Sequence, residues 1–559
     1  MLAVTRLTKF TADAFLILVD YRERGPQVCP GLAGDPRVIR VKAALLEPDP
    51  HACPRGRAAV TRPLVFHQPE RTRRTPLEEF ALAPVMRALD EAEFGRAVTG
   101  KPCHAGHLRW AEAATAAFLG ARADEEAARR AAGYPATGPV GHEWVAVHER
   151  KEADARGATR YERTAWGRRY TSADGTLREL WLPSFTSAKD KPERVILAAA
   201  AVAAFGDAAI SGFRKPYRPL TGRDVAPQRV RVISVGCGDG SRKVLADLDV
   251  AQVRIGYETI VRAAFAELVD GADRRPGADC AGCEELPLCA APVRVPGLLG
   301  ATPSAPRKRR TVSMSDLRAH RDCPARYHLT RVLKIKRLAR ESEQIRRGRA
   351  VDAWLNDRHA TPGGCRSLPL PEAVAGLTPE ETGTAIRMIA QHRAICPLND
   401  LPAASPVHVQ PRLAAYDSDL DSVVVADADL LYADGDGWIW RETKTSGKRP
   451  PGHIPLMELY PQVALAVVMM ASGVPGGNLR RSLVELELLF ADGRMREEFA
   501  PSDPATVSQA RTIIAGYGIQ WAADEVYPAR PGRPCRGCEA LPWCAPGLAE
   551  VGETIDVIS

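Results

Sequence analysis

Three residues toward the C-terminal end of the chain have the types and spacing of a hydrolytic metal site. Asp429 sits near the end of the β-branched run Val423 to Tyr432, and Glu442 and Lys444 lie two apart in Trp438 to Thr445. Asp434-Gly435-Asp436-Gly437 between the runs is a turn signal, so the two read as strands of a hairpin. Residues two apart on a strand share a face. Two carboxylates offer hard oxygen ligands to a divalent cation such as Mg²⁺. Such a cation polarises a phosphodiester and acidifies water, while a nearby lysine stabilises developing charge. Glu-x-Lys alone is common on solvated strands; the upstream Asp429 and the cysteines give it weight.

Cys535, Cys538 and Cys544 form a compact loop bounded by Pro534 and Pro542, and Cys323, in Asp322-Cys323-Pro324, is the candidate fourth thiolate. One cysteine ahead of the fold and three behind it would close the intervening chain like a clasp. On spacing alone, zinc and a [4Fe–4S] cluster fit four thiolates equally.

The loop occurs twice. Cys280-Ala-Gly-Cys283-Glu-Glu-Leu-Pro-Leu-Cys289 recurs 255 residues later as Cys535-Arg-Gly-Cys538-Glu-Ala-Leu-Pro-Trp-Cys544. Gly95-Arg-Ala-Val98 recurs at Gly348 to Val351, and Asp239-Gly240 at Asp492-Gly493, both 253 residues later. Repeats at nearly one offset predict a tandem duplication. Residues 291–310 hold Pro292, Pro296, Pro303, Pro306 and Lys308-Arg309-Arg310, a linker composition. The expected organisation is domain one at 1–290, a linker at 291–310 and domain two at 311–559.

Domain two resembles the RecB-like branch of the PD-(D/E)XK nuclease superfamily, and within it the iron–sulfur subgroup of the AddB nuclease domain and the CRISPR-associated adaptation exonucleases. The resemblance runs from Leu317 to Cys544. It rests on Cys323-Pro324 with Tyr327, the Asp429 strand, Glu442-Thr-Lys444-Thr, Gln462 on the following helix and the last cysteine triplet. It implies an α/β restriction-endonuclease-like fold, a central mixed sheet flanked by helices, in two tandem copies. It implies that Asp429 and Glu442 bind Mg²⁺ or Mn²⁺, Lys444 assists catalysis, and Gln462 supports the active strand. Cys323, Cys535, Cys538 and Cys544 would hold a [4Fe–4S] cluster. Asp352, four residues after Gly348, stands where the family often has a metal-site His. Ala426 and Ala466 stand where it often has Gly and Tyr.

Domain one reads as disarmed. Arg178-Glu179 parallels Arg441-Glu442, which puts Trp181 at the lysine position and Gly167-Arg168 near that of Asp429. No Gln occupies the next helix, Val195 to Phe205. Cys280, Cys283 and Cys289 remain as ligands. The counterpart of Cys323 falls near Glu70, Cys53-Pro54 is the best substitute, Cys103 comes next, and His67 would suit zinc. The other cysteines, Cys29, Cys237, Cys365 and Cys396, read as buried apolar fillers.

The 559 residues suit two to four domains, and the net charge of +8 with a pI near 8.8 favours a polyanion such as DNA. Lys334, Lys336, Arg337, Arg340, Arg346, Arg347 and Arg349 form the densest basic stretch, suited on a helix to a phosphate backbone. No Walker A pattern occurs, so processive resection would need a separate helicase. Val195 to Phe205 is too short for a bilayer, Met1 to Arg6 leads into no secretory h-region, and a cytoplasmic protein is expected. The chain is thus expected to be a metal-dependent deoxyribonuclease in repair, recombination or phage defence. The rival is a non-catalytic DNA-binding scaffold with structural iron–sulfur or zinc sites.

Overall fold

The computed structural model describes residues 32–67, 77–78, 80–151, 158–210, 215–220, 225–302, 308–337, 341–361, 363–366 and 369–552. Met1 to Arg6, Cys29, Glu70, Pro303, Pro306 and Arg340 lie outside them. The fold is mixed α/β. Two five-stranded sheets carry it. The first runs β1 (Thr137–Pro139), β2 (Arg168–Ser172), β3 (Leu177–Ser184), β4 (Arg229–Gly236), β5 (Arg242–Asp249). The second runs β6 (Val407–Val409), β7 (Leu430–Asp434), β8 (Gly437–Thr445), β9 (Leu483–Phe490), β10 (Gly493–Phe499). Both have the same pairing. The third and fourth strands are parallel and every other pair is antiparallel.

A parallel pair needs a crossover, and a helix supplies it in each sheet. Before it in the first half lies α1 (Ala105–Ala131), and α2 (Glu193–Phe205) makes the crossover. In the second half, α3 (Glu343–His359) and α4 (Pro379–Ile395) precede the sheet, and α5 (Pro461–Ala471) crosses over. Nine residues of α2 and nine of α5 are buried, which accounts for their apolar sequences. No helix among the described residues is long and apolar enough to cross a membrane.

Each half has a further large sheet, five-stranded in the first and four-stranded in the second, and the first also has a two-stranded ribbon. In the first, Val38–Lys42 lies parallel to Ala158–Thr164. In the second, Arg310–Ser313 lies parallel to Ser422–Asp427. The stretch 291–310, whose composition marks it as a linker, is therefore partly built into the second half. Val293–Arg294 pairs with Ala415 and Tyr416, and Val295, Leu298 and Leu299 join the same core as α5. Pro296, Gly297 and Gly300 shape tight turns over a core, the two glycines each at φ 67°. The buried carboxylate of Asp417 fixes those turns, accepting from the amides of Gly297 at 3.1 Å and Leu299 at 2.9 Å.

The halves share apolar surface. Leu329, Leu333, Ile335 and Ala540 pack into the core formed by α1, Val85 and Leu89. Cys280, Cys283 and Leu286 pack against Ala414, Tyr416, Val423 and Val425. A Cβ at Gly106, on the first turn of α1, would lie 2.9 Å from the Trp543 carbonyl oxygen, so glycine permits this approach.

Asp417→Ala should lower the stability of the whole chain by about 2–3 kcal/mol, because buried amides lose their acceptor. Denaturant titration checks this, with exposed Asp434→Ala expected to stay within about 0.5 kcal/mol of the parent.

Candidate active site

The run Val423 to Tyr432 forms two strands rather than one. Ser422–Asp427 belongs to the outer sheet and β7 to the central one, with Asp429 at the break. The chain must change sheets here, and Gln410, at φ 46°, turns beside it and donates its amide to the Asp429 carbonyl. The break frees the Asp429 side chain from strand alternation. Its Oδ2 accepts from the Thr443 amide at 2.7 Å and from Lys444 Nζ at 2.9 Å.

On β8, Trp440, Glu442 and Lys444 alternate onto the face that meets α5, where Trp440 is buried with Val463, Leu486 and Leu488. Glu442 is 4% exposed. Its Oε1 accepts from Trp440 Nε1 at 3.0 Å, and its Oε2 pairs with Lys444 Nζ at 3.0 Å. One ammonium thus bridges both acids. Burial pushes the Glu442 carboxyl above its ordinary 4.5, against the pull of Lys444 and with a further push from Asp429. Burial disfavours the Lys444 ammonium, but Glu442 and Asp429 outweigh that and hold it well above the usual lysine range. The Lys444 side chain keeps 32% of its surface open, so the bridge faces solvent on one side.

Asp352 arrives on α3. A Cβ at Gly348 would stand 3.0 Å from Thr445 Oγ1, so glycine lets α3 lie against the end of β8 and present Asp352 one turn later. Asp352 Oδ2 accepts from Gln410 Nε2 at 2.9 Å and Asn356 Nδ2 at 3.2 Å. Burial raises its pKa, and the Asp429 charge adds to the push. Gln462 is half-buried on the first turn of α5, next to Tyr460, whose hydroxyl feels the Lys444 charge. Gln410 and Trp440 went unnoticed in the sequence. Their roles depend on the sheet change and on strand alternation, which no local motif marks.

Cys323, Cys535, Cys538 and Cys544 line one small cavity with Ala325, Leu329 and Leu541. The Arg530 amide donates to Cys323 Sγ at 3.4 Å. In the first half the Arg275 amide donates to Cys53 Sγ, also at 3.4 Å. Burial pushes the Cys280 thiol up, and Cys53 and Cys289 stand close enough to add to it. Cys283 is pushed up to about 12 by burial, with Cys280 and Cys53 as neighbours. Cys53, which follows the strand Val38–Lys42 much as Cys323 follows Arg310–Ser313, is the residue brought to the first triplet. Cys103 lies beside Arg87 and Lys101, and His67 ends a two-stranded ribbon.

The strand faces correct one correspondence. Leu180 packs with α2 and Arg178 donates to the Ala203 carbonyl at its end, so even-numbered residues of β3 face the crossover helix. Glu179 and Trp181 face α1 instead, Glu179 pairing with Arg231 at 2.8 Å and Trp181 packing on Phe118. Trp181 is therefore on the wrong face to stand for Lys444. Leu180 and Leu182 line the face that carries Glu442 and Lys444 in the second half.

The basic stretch also divides. Lys334 to Arg337 is non-helical, with Lys334 at φ 58°, whereas Arg346, Arg347 and Arg349 are on α3. Those three pair with Glu381, Glu343 and Glu341. It does not form one free cationic helix face.

Residues 311–545 match the sequence model of the PD-(D/E)XK nuclease superfamily. The match spans Cys323, Asp352, Asp429, Glu442, Lys444, Gln462 and the second cysteine triplet. No curated protein matches the chain.

Lys444→Met should make stability depend on pH. Without the ammonium, buried Glu442 holds its proton more tightly in the folded chain than in the unfolded one, so rising pH favours unfolding. The variant should melt progressively lower from pH 5 to pH 8, and Lys444→Met with Glu442→Gln should not.

Proposed function

We propose that the chain is a metal-dependent deoxyribonuclease whose active centre is Asp352, Asp429, Glu442 and Lys444, with Gln462 alongside. The observation that carries this is the Lys444 bridge, 2.9 Å from Asp429 and 3.0 Å from Glu442. Three carboxylates against one ammonium leave a surplus of negative charge, and their hard oxygens fit Mg²⁺ or Mn²⁺. Such an ion would supply Lewis acidity to the scissile phosphate. The Thr443 amide and Trp440 Nε1 hold the two acids in place. Lys444 offers donors from the open side to charge that builds on phosphate oxygens.

The four thiols around Cys323 support a [4Fe–4S] cluster and the narrower likeness to the iron–sulfur subgroup. Four thiolates also fit zinc, and the likeness to that subgroup tips the choice towards iron. Cys53, Cys280, Cys283 and Cys289 form the equivalent site in the first half.

The shared strand order and the repeated sulfur contacts support a duplicated protein, 1–290 and 311–559, with catalysis in the second copy. In the first copy, Leu180 and Leu182 at the active face favour a non-cutting DNA-positioning scaffold. The partner is DNA, with a separate helicase as motor where resection is processive. The setting is the cytoplasm, in repair, recombination or phage defence.

With Mn²⁺ supplied, the full-length protein should cleave single- or double-stranded DNA, and Lys444→Ala should lose at least about 10²–10³-fold in rate. Full-length Glu442→Ala should not cut. Wild-type cleavage by either variant would remove the site, and residual cutting by Glu442→Ala would assign activity to the first half.

Cys538→Ser should lose visible iron–sulfur absorbance from the second site and about 3–5 kcal/mol of stability, the scale of a long-loop crosslink. Unchanged iron content and melting would discard the clasp.

A further inference from the structure

Two cysteines that read as apolar fillers have polar company. Cys365 follows α3 and Cys396 caps α4, while His359 ends α3 and His392 lies on the last turn of α4. In sequence they form His359-x5-Cys365 and His392-x3-Cys396. All four are buried, and one ligand atom from each lies within 4.8 Å of the others. His359 Nε2 and His392 Nε2 are 3.1 Å apart, and Cys396 Sγ is 3.5 Å from His359 Nε2.

We propose that His359, Cys365, His392 and Cys396 form a structural zinc site, separate from the active centre and from both cysteine clasps. Zinc bonds nitrogen at about 2.0 Å and sulfur at about 2.3 Å. A tetrahedron with those bonds has nitrogens about 3.3 Å apart and nitrogen about 3.5 Å from sulfur. The observed separations match these edges. Two thiols lose their protons to solvent on binding, and two thiolates cancel the ion's double charge. The resulting centre is neutral, as a site this deeply buried requires.

The second layer is in place. His392 Nδ1 donates to Glu487 at 2.8 Å and 3.0 Å, which fixes the tautomer that turns Nε2 toward the group. Glu487 is itself held by Thr443 Oγ1 at 3.1 Å and by Arg441 at 3.4 Å. The Cys365 loop is tied down by Arg393, which donates to the Cys365 carbonyl at 3.1 Å. Gly364, at φ 67°, brings that loop against Asn399, where a Cβ would stand 2.6 Å from the Asn399 amide. Soft sulfur and imidazole donors in a closed tetrahedron suit zinc and not the magnesium-type ion of the carboxylate site.

Zinc here would staple the end of α3, the helix that carries Asp352, to α4 and to Glu487 on β9. Through Glu487 and Thr443 it would also brace the strand that carries Glu442 and Lys444.

Metal analysis of full-length protein purified anaerobically should find about one zinc per chain. Zinc-edge X-ray absorption should show two nitrogen and two sulfur neighbours. Cys396→Ser should abolish zinc retention and Cys538→Ser should leave it intact. Glu487→Gln should speed zinc loss to a chelator by about 10–100-fold. If Cys396→Ser fails to fold, the two-nitrogen, two-sulfur zinc shell of wild-type protein carries the test instead. Zinc absent from wild-type protein, an all-sulfur shell, zinc retained by Cys396→Ser, or a Cys365–Cys396 disulfide in anaerobically purified protein would each overturn it. None of these readouts depends on cleavage.

Discussion

A carboxylate as buried as Glu442 survives as an anion only beside a positive charge, and Lys444 supplies it on the same strand face. The architecture around β8 follows from that. The strand is flanked on both sides by sheet and covered on both faces, so each charge on it needs a built partner. On the α5 face the partners are Lys444, Asp429 and the Trp440 indole. On the α4 face Arg441 is 1% exposed, held by Glu485 at 2.7 Å and Glu487 at 3.4 Å, and its Nη1 donates to the Ile395 carbonyl at 3.2 Å. The Lys444 side can open to solvent while the Arg441 side cannot. A strand fixed by ion pairs on its closed face can hold its acids steady on the open one.

The first half also has an ionic closed face, with leucines on the other. Glu179 meets Arg231 and Arg129 there, with Glu125 from α1 completing the group. Removing any member of such a buried network leaves an unpaired charge at a cost of about 3–5 kcal/mol, so the fold retains it. Leu180 and Leu182 on the other face carry no such penalty. Leucines on that face need no charged partner, whereas the ionic core behind them does.

The sequence made the chemical residues legible and left much of their surroundings hidden. Strands at Val230 to Val235 and Leu483 to Phe490, the buried helix at Val195 to Phe205, and the hairpins around Asp174-Gly175 and Asp434 to Gly437 follow from periodicity and turn residues. The break at Asp429 does not, because a β-branched run reads as one strand whichever sheet each part joins. Residues 291–310 read as a tether since proline and glycine dominate locally, while the contacts of Val295, Leu298 and Leu299 come from residues far along the chain. Counting along a strand puts Trp181 at the lysine position, and one residue of slip exchanges the two faces. Cys365 and Cys396 read as fillers because their histidine partners sit at unequal spacings on two helices.

The shared cores bear on how the halves can be used apart. The loop of Cys538 and Ala540 rests on α1, and the loop of Cys280 and Cys283 rests on the outer sheet of the second half. Cutting the chain near residue 300 would expose Leu329, Leu333 and Ile335, each at most 1% exposed in the whole protein. Burial of such a side chain is worth about 1.5–3 kcal/mol. Those losses fall beside Cys323 and the cysteine loops. The two sulfur sites and the interface between the halves are therefore one structural problem. In the proposed duplicated protein, the first half would still supply the surface on which the second half's cysteine loop rests, a physical reason for it to persist.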